Sequence, residues 1–314
     1  MNLVVGSINY DFTIYVSDFP EIGQTITDGV LRESPGGKGF NQAVASARAG
    51  AKTKFIGCVG DDSISNLLMK HMHSELKENK KFIPQIIKIK NVKSGCAFIT
   101  VRDNDGSNKI VVSPGANRKI PKSKVYEQLK KKDFSCILLQ CELDEDIVRM
   151  CLEFSRKNGK KIFLNAAPFK PWVKDVFHLA NFLIANEIEI LHIGRALGLN
   201  GEILQIVKEI SKGFPGGIVV TLGKRGLIFC DRSRCFHMGA FQVRSVDTVG
   251  AGDSFCGYFS ACIELGKSLE DALLFASASG ALSTTKKGAF KSIPYFKEVE
   301  RFIRNSKKPE IKTL

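Results

Sequence analysis

Short, mostly apolar runs recur along this chain with longer amphipathic stretches between them, and no other feature narrows the fold so far. The runs are NLVVGS at 2–7, TKFIGCV at 53–59, SCILLQ at 135–140, KKIFLN at 160–165, NFLIAN at 181–186 and GGIVVTL at 216–222. Strands that are apolar throughout, with no polar alternation, belong to parallel sheets covered on both faces. Helices are expected over Lys38 to Ala49 before Gly50, Asp144 to Asn158 before Gly159, Glu187 to Leu197, and Glu202 to Lys212 before Gly213. Alternation of this kind predicts an α/β sheet between two helical layers.

Two regions break the pattern. Residues 11–33 and 93–113 read as strands joined by polar turns, with Asn-Asp-Gly at 104–106 a hairpin signal. They predict a small antiparallel flap set into the main sheet, and a flap implies something to cover. With no internal repeat and no long linker, residues 1–314 are expected to form a single domain with this flap as a subdomain.

Composition excludes several classes. The chain has 314 residues and 44% hydrophobic content, enough for a large core. Its first apolar run is too short for a signal-peptide core or a membrane span, so a cytoplasmic location is expected. The nine cysteines include no Cys-x-x-Cys pair, and reduced thiols are expected rather than a disulfide framework or a zinc site. The formal charge of +14 is spread over the chain without interleaved aromatics, which favours a solvated basic surface over a nucleic-acid partner.

Two glycine-rich stretches carry the candidate chemistry. Neither is a Walker A loop, because Lys38 is followed by Gly39 and the Gly-Lys-Arg at 223–225 lacks the hydroxyl that ligates magnesium. A dinucleotide fingerprint fails as well, since Phe255 stands where the third glycine would be. In DTVGAGDSF, the small residues Gly250, Ala251 and Gly252 precede the apolar stretch Phe255 to Leu265, so unpaired amides at a helix start would form an anion site. Asp253 sits in that first turn, where the helix dipole favours negative charge. A base taking a proton from a hydroxyl that attacks a phosphate fits both features; a simple helix cap is the alternative. In SPGGKGFNQ, Gly36, Gly37 and Gly39 let a polyhydroxylated ligand approach the main chain, while Lys38 and Asn41 supply donors; a tight strand-to-helix turn with ordinary surface groups is the alternative there.

These motifs, in this order, resemble the ribokinase (PfkB) family of sugar kinases across essentially the whole chain. LVVGSINYDF, PGGKGFNQAVASARAG, LLQCELD, LNAAPF, ANEIEI, VVTLGKRG, VDTVGAGDSFCGYF and TTKKGAFKSIP carry the resemblance. It implies a three-layer α/β/α fold with a mostly parallel sheet plus a small β lid, and ATP-dependent phosphorylation of the 5-hydroxyl of ribose. The implied sugar contacts are Asn9, Asp11, Gly37, Lys38, Asn41 and Glu142, with Asp253 as general base and the amides of Gly250, Ala251 and Gly252 as anion hole. Asn186 and Glu189 would organise Mg2+ and the ATP phosphates, Glu189 reaching the magnesium through water, while Thr221, Gly223, Gly226 and Gly252 would line ATP. A potassium ion is implied beside Asp247, Val249, Ser283, Lys286, Gly288 and Ser292. A homodimer joined through the lid is implied too.

The sequence departs from the family pattern at two places. Phe40 stands where the family usually carries alanine, next to the sugar turn, and is expected to bear on which polyol is accepted. Asn-Ala-Ala-Pro at 165–168 lacks one proline of the commoner run. Another polyol, such as deoxyribose, a nucleoside or fructose, is the alternative substrate.

Overall fold

The structure, a computed structural model, describes residues 1–104 and 106–314. In chain order its strands are β1 (Asn2–Val5), β2 (Asn9–Val16), β3 (Val30–Gly36), β4 (Thr53–Val59), β5 (Phe82–Lys88), β6 (Gly95–Arg102), β7 (Asn108–Ser113), β8 (Cys136–Gln140), β9 (Lys161–Asn165), β10 (Phe182–Asn186), β11 (Gly217–Thr221), β12 (Leu227–Cys230), β13 (Cys235–Met238) and β14 (Ile311–Thr313). The helices are α1 (Lys38–Arg48), α2 (Ser63–Glu78), α3 (Lys122–Lys130), α4 (Glu145–Lys157), α5 (Val173–Val176), α6 (Glu187–Ala196), α7 (Ile203–Gly213), α8 (Ala251–Glu264), α9 (Leu269–Ser283), α10 (Ala289–Ser292) and α11 (Phe296–Asn305).

The main sheet runs β14-β13-β12-β11-β10-β9-β8-β1-β4-β5. It is parallel from β5 through β11 and antiparallel from β11 to β14. All six apolar runs are parallel strands of this sheet, because each is buried on both sides. The pleat sends successive side chains to opposite layers. Val4 and Leu138 join a core with α1, α2, α8, α9 and α11, whereas Leu3, Val5, Ile137 and Leu139 join the core under α3 to α7. The result is a three-layer α/β/α fold.

Strand order reverses direction at β1, which lies between β4 and β8. Ligands of open α/β sheets bind outside the carboxyl ends of strands at such a switch point. Here β1 leads through Gly6, Ser7 and Ile8 straight into β2 of a second sheet, and β3 of that sheet ends at Gly36, immediately before α1. The small sheet is therefore hinged at the switch point.

That sheet has the order β3-β2-β6-β7. Its outer pairings are antiparallel, and its central pairing, β2 with β6, is parallel. Tyr15, Ala97, Ile99 and Val101 fill one face. The other face presents Phe12, Ile14, Leu31, Phe98 and Val111, of which the last four are exposed. Asp105, the middle residue of the hairpin signal, lies outside the described residues.

The expectation of reduced thiols holds for seven cysteines, all buried, and is corrected for two. Cys230 and Cys235 are register partners across the β12–β13 hairpin and form a disulfide. Only the hairpin register makes them neighbours. Among the described residues no helix is long and apolar enough to cross a membrane.

Candidate functional site

The turn into α1 is built by backbone that only glycine tolerates. Gly37, the residue before α1, has φ 88°, and a Cβ there would lie 2.8 Å from the Asn9 amide. This conformation turns the chain so that the Lys38 amide donates to Glu142 Oε2 at 3.1 Å and the Phe40 amide to the Ser7 carbonyl at 2.9 Å. Glu142 Oε2 also accepts from the Ser7 hydroxyl. Asn117 ties the same corner, donating from Nδ2 to Asn9 Oδ1 at 2.8 Å and accepting the Ile8 amide at 3.0 Å. The cluster joins the first residues after β1, the residues after β8 and the start of α1.

Among the described residues, three buried side chains in this corner have an unmatched oxygen: Asp11, Asn41 and Gln140, whose Oε1 lies against Gly6. Asp11 is 6% exposed and Asn41 3%, and Oδ1 of each has no hydrogen-bond partner among the described residues. A buried acceptor without a donor is costly, so the Oδ1 atoms of Asp11 and Asn41 are open to a donor from a bound group. Burial, together with the charges of Glu142 and Asp253, pushes the Asp11 carboxyl up to about 7 against the pull of Lys38. Burial alone would lower the Lys38 ammonium, but Asp253, Glu142 and Glu189 outweigh it and hold the group above the ordinary lysine range. A cavity of about 340 Å3 adjoins the corner, lined by Asn9 and Val112 from the small sheet and by Ser7, Glu142, Pro168 and Trp172.

Asp253 closes the other side of the cleft from the first turn of α8. Its Oδ2 accepts from Asn41 Nδ2 at 3.1 Å and its Oδ1 from Gln42 Nε2 at 3.0 Å, so the second glycine-rich stretch lies directly against the first. The expected capping alternative is not what its side chain does, since α8 carries no side-chain cap. Gly250 precedes the helix in the left-handed conformation, φ 80° and ψ −3°, with Ala289 packed where its Cβ would be. The Gly252 and Asp253 amides have no protein acceptor among the described residues, which leaves donors free at a helix N-terminus. Of the expected hole, the Ala251 amide instead turns back to the Thr248 carbonyl at 3.3 Å.

The remaining candidates fall in two groups. Asn186 and Thr221 are register partners at the carboxyl ends of β10 and β11, with Gly223 and Gly226 in the turn that follows. Asn186 and Glu189 cap α6 reciprocally, Asn186 Oδ1 accepting the Glu189 amide at 2.9 Å and Glu189 Oε2 the Asn186 amide at 2.8 Å. Burial pushes the Glu189 carboxyl up from its ordinary value, opposed by the Asn186 amide and Lys38. One carboxylate with a free oxygen suits magnesium held mainly by water and phosphate.

Asp247 belongs to the second group. It is 7% exposed and accepts the Val249 amide at 3.0 Å, the Gly288 amide at 2.8 Å and the Tyr15 hydroxyl at 3.3 Å. All are neutral donors, and no cationic side chain pairs with it among the described residues. A buried anion so placed fits a monovalent cation. The Lys286 ammonium is turned away to Glu298, so only its carbonyl can face a cation, while the Ser283 and Ser292 hydroxyls donate back within their own helices and keep lone pairs on their oxygens.

Phe40 does not border the cleft. Its ring is fully buried, 5.9, 6.0 and 5.4 Å from those of Phe55, Phe82 and Phe290, because its Cβ points from α1 into the core. The expectation that it shapes substrate choice is corrected accordingly. Sequence reasoning also passed over Ser7, Gln42, Asn117, Gln140 and Asn165, polar residues of this cleft region. The only signal for them was a polar residue at the end of an apolar strand or on the buried face of a helix.

The profile of the family described as pfkB family carbohydrate kinase matches residues 1–295. The chain is 34% identical over 309 residues to a curated ribokinase of Haemophilus influenzae, covering 96% of this chain and 98% of that protein. It resembles the crystal structure of a ribokinase from Thermotoga maritima with a TM-score of 0.86 and 31% identity, over 97% of this chain and 99% of the other. An Arabidopsis thaliana ribokinase complexed with ribose and ATP is similar with a TM-score of 0.81 and 27% identity, over 96% and 98% of the two chains.

Proposed function

Since this chain belongs to the pfkB family of carbohydrate kinases, we propose that it transfers the γ-phosphoryl group of ATP to the 5-hydroxyl of D-ribose, giving ribose 5-phosphate and ADP. The observation that carries this reading is the joining of the two glycine-rich stretches through Asn41 and Asp253 at 3.1 Å, which puts a carboxylate, a lysine and free amides in one cleft. A sugar there would meet Asn9, Asp11, the Gly37 turn, Lys38, Asn41 and Glu142.

Asp253 keeps lone pairs beyond those facing Asn41 and Gln42, and acts as general base. It takes the proton of the sugar hydroxyl while the oxygen bonds to the γ-phosphorus; the bond from that phosphorus to its bridging oxygen breaks, and ADP leaves. The amides of Gly250, Ala251 and Gly252 steady the charge on the moving group, the Ala251 amide after releasing Thr248. Asn186, Thr221, Gly223 and Gly226 line the nucleotide. Glu189 would hold a hydrated magnesium ion that screens the phosphates, and Asp247 with the main chain of Val249, Ser283, Lys286, Gly288 and Ser292 would hold potassium.

The small sheet acts as a lid over the sugar, and its exposed apolar face, Ile14, Leu31, Phe98 and Val111, pairs with the same face of a second copy. An ATP-dependent sugar kinase of this kind works where ATP is kept, in the cytoplasm.

Release of ADP with ribose, 2-deoxyribose, fructose and a set of nucleosides tests the substrate. Ribose is expected to give the highest kcat/KM; a higher value for a nucleoside or fructose overturns the ribose assignment while leaving a sugar kinase. Exchanging potassium for sodium is expected to lower the rate, and an unchanged rate counts against the cation site.

A further inference from the structure

Gln42 is fully buried, one residue beyond Asn41 in α1, and its side-chain amide has every group engaged. Nε2 donates to Asp253 Oδ1 at 3.0 Å and to Asn165 Oδ1 at 3.0 Å, and Oε1 accepts from Gln140 Nε2 at 2.7 Å. Asn165 is held in turn by donating to the Ile184 carbonyl at 3.3 Å. A chain of neutral amides thus runs from β10 through β9, with a branch to β8, and ends on the carboxylate of Asp253.

We propose that Gln42 is a positioning residue for the phosphoryl transfer, setting the rotation of the Asp253 carboxylate through a neutral donor anchored in three strands of the sheet. The inference rests on the reading of Asp253 as the general base. Asn41 grips the other carboxylate oxygen, yet its own Oδ1 is free, which leaves it open to a ligand as well; Gln42 has both donors and its acceptor engaged within the protein. The neutral donor matters chemically. A lysine or arginine at this point would bind the carboxylate as an anion and weaken it as a base, whereas an amide fixes its direction without taking a full charge. A base misplaced by about 1 Å costs up to about a hundredfold in rate.

The test compares Gln42→Met and Gln42→Glu with the unaltered protein and with Asp253→Asn. Gln42→Met keeps the volume and removes both donors; Gln42→Glu keeps the acceptor for Gln140 and turns a carboxylate on the base. Both are expected to lower kcat by about 10- to 100-fold. The rise in melting temperature on adding ribose should persist, showing a folded protein with an intact sugar site. When Gln42→Met is added to Asp253→Asn, the residual turnover, followed with radiolabelled ATP, should change by less than about threefold, because the group it positions is gone. A kcat within about threefold of the unaltered value, an equal loss in both backgrounds, or a loss of the ribose-induced shift alongside kcat overturns the positioning role. Near-normal turnover of Asp253→Asn by itself overturns the base assignment and the inference with it.

Discussion

Arg48 and Glu75 form a two-pronged ion pair, Nη2 to Oε2 at 2.6 Å and Nε to Oε1 at 3.1 Å, with both side chains buried. The remaining nitrogen, Nη1, donates to the carbonyls of Phe290 and Ile293 at 3.2 and 2.7 Å, and the guanidinium lies over the rings of Phe290 and Tyr295. The last turn of α1 is thereby tied to α2 and to the segment whose Ala289 packs on Gly250. Replacing Arg48 by Met leaves Glu75 buried without a partner, at a cost of about 3–5 kcal/mol. Urea unfolding checks this, and Arg48→Met with Glu75→Leu should recover most of the loss; equal stability of the single variant and the unaltered protein would contradict it.

The raised Asp11 carboxyl predicts a pH signature of known sign. Because its folded value, about 7, lies above the unfolded 3.8, the stability it contributes relative to Asp11→Asn is full below pH 3.8. That advantage declines as pH rises to about 7 and is absent above. Melting curves of the two proteins across this range should therefore converge upward in pH. If the proposed sugar contact draws on the ionised form of Asp11, ribose should bind roughly tenfold more tightly at pH 8 than at pH 6, with a flatter profile for Asp11→Asn. A parallel profile in the variant would remove Asp11 as the source.

Gly250→Ala combines two penalties. Its φ of 80° is left-handed, costing about 1–2 kcal/mol for a residue with a Cβ, and that Cβ would meet Ala289 at 2.8 Å. The expected result is a lower melting temperature and a kcat reduced at least tenfold, with the ribose KM nearly unchanged, because in the proposed mechanism the displaced amides act on the phosphoryl group and not on the sugar. A change confined to KM would place these amides elsewhere.

Charges placed on the exposed face of the small sheet test its pairing. Phe98→Asp with Val111→Asp, both on outward positions of neighbouring strands, should convert a dimer to a monomer in sedimentation velocity and raise the ribose KM. A dimer that survives both changes would have its interface on another surface.

The strands were legible because a parallel strand buried on both faces cannot alternate, and helix ends because Gly50 and Gly159 take positive φ at helix stops, as the periodicity required. Asp144 and Asn158 sit at the two caps of α4, as local chemistry predicts. Other features were hidden because residue types alone give neither strand register nor the direction in which a side chain leaves its element. The parallel pairing of β2 with β6 joins strands some 86 residues apart, Asn9 facing Gly95. Cys230 and Cys235 become partners only through a hairpin register. Phe40 reads as a neighbour of the sugar turn, yet helical geometry turns its ring away.

By itself, the order of residues determined the layered α/β architecture and marked the two glycine-rich turns, since periodicity, caps and left-handed glycines are settled within a few neighbouring residues. Tertiary structure alone decided that Asn41 and Gln42 grip Asp253 across separations of 212 and 211 residues, and that Asp11 is forced toward neutrality by carboxylates from distant segments. Orientation and charge at a site depend on what folding brings within a few ångströms, and no local pattern carries that distance.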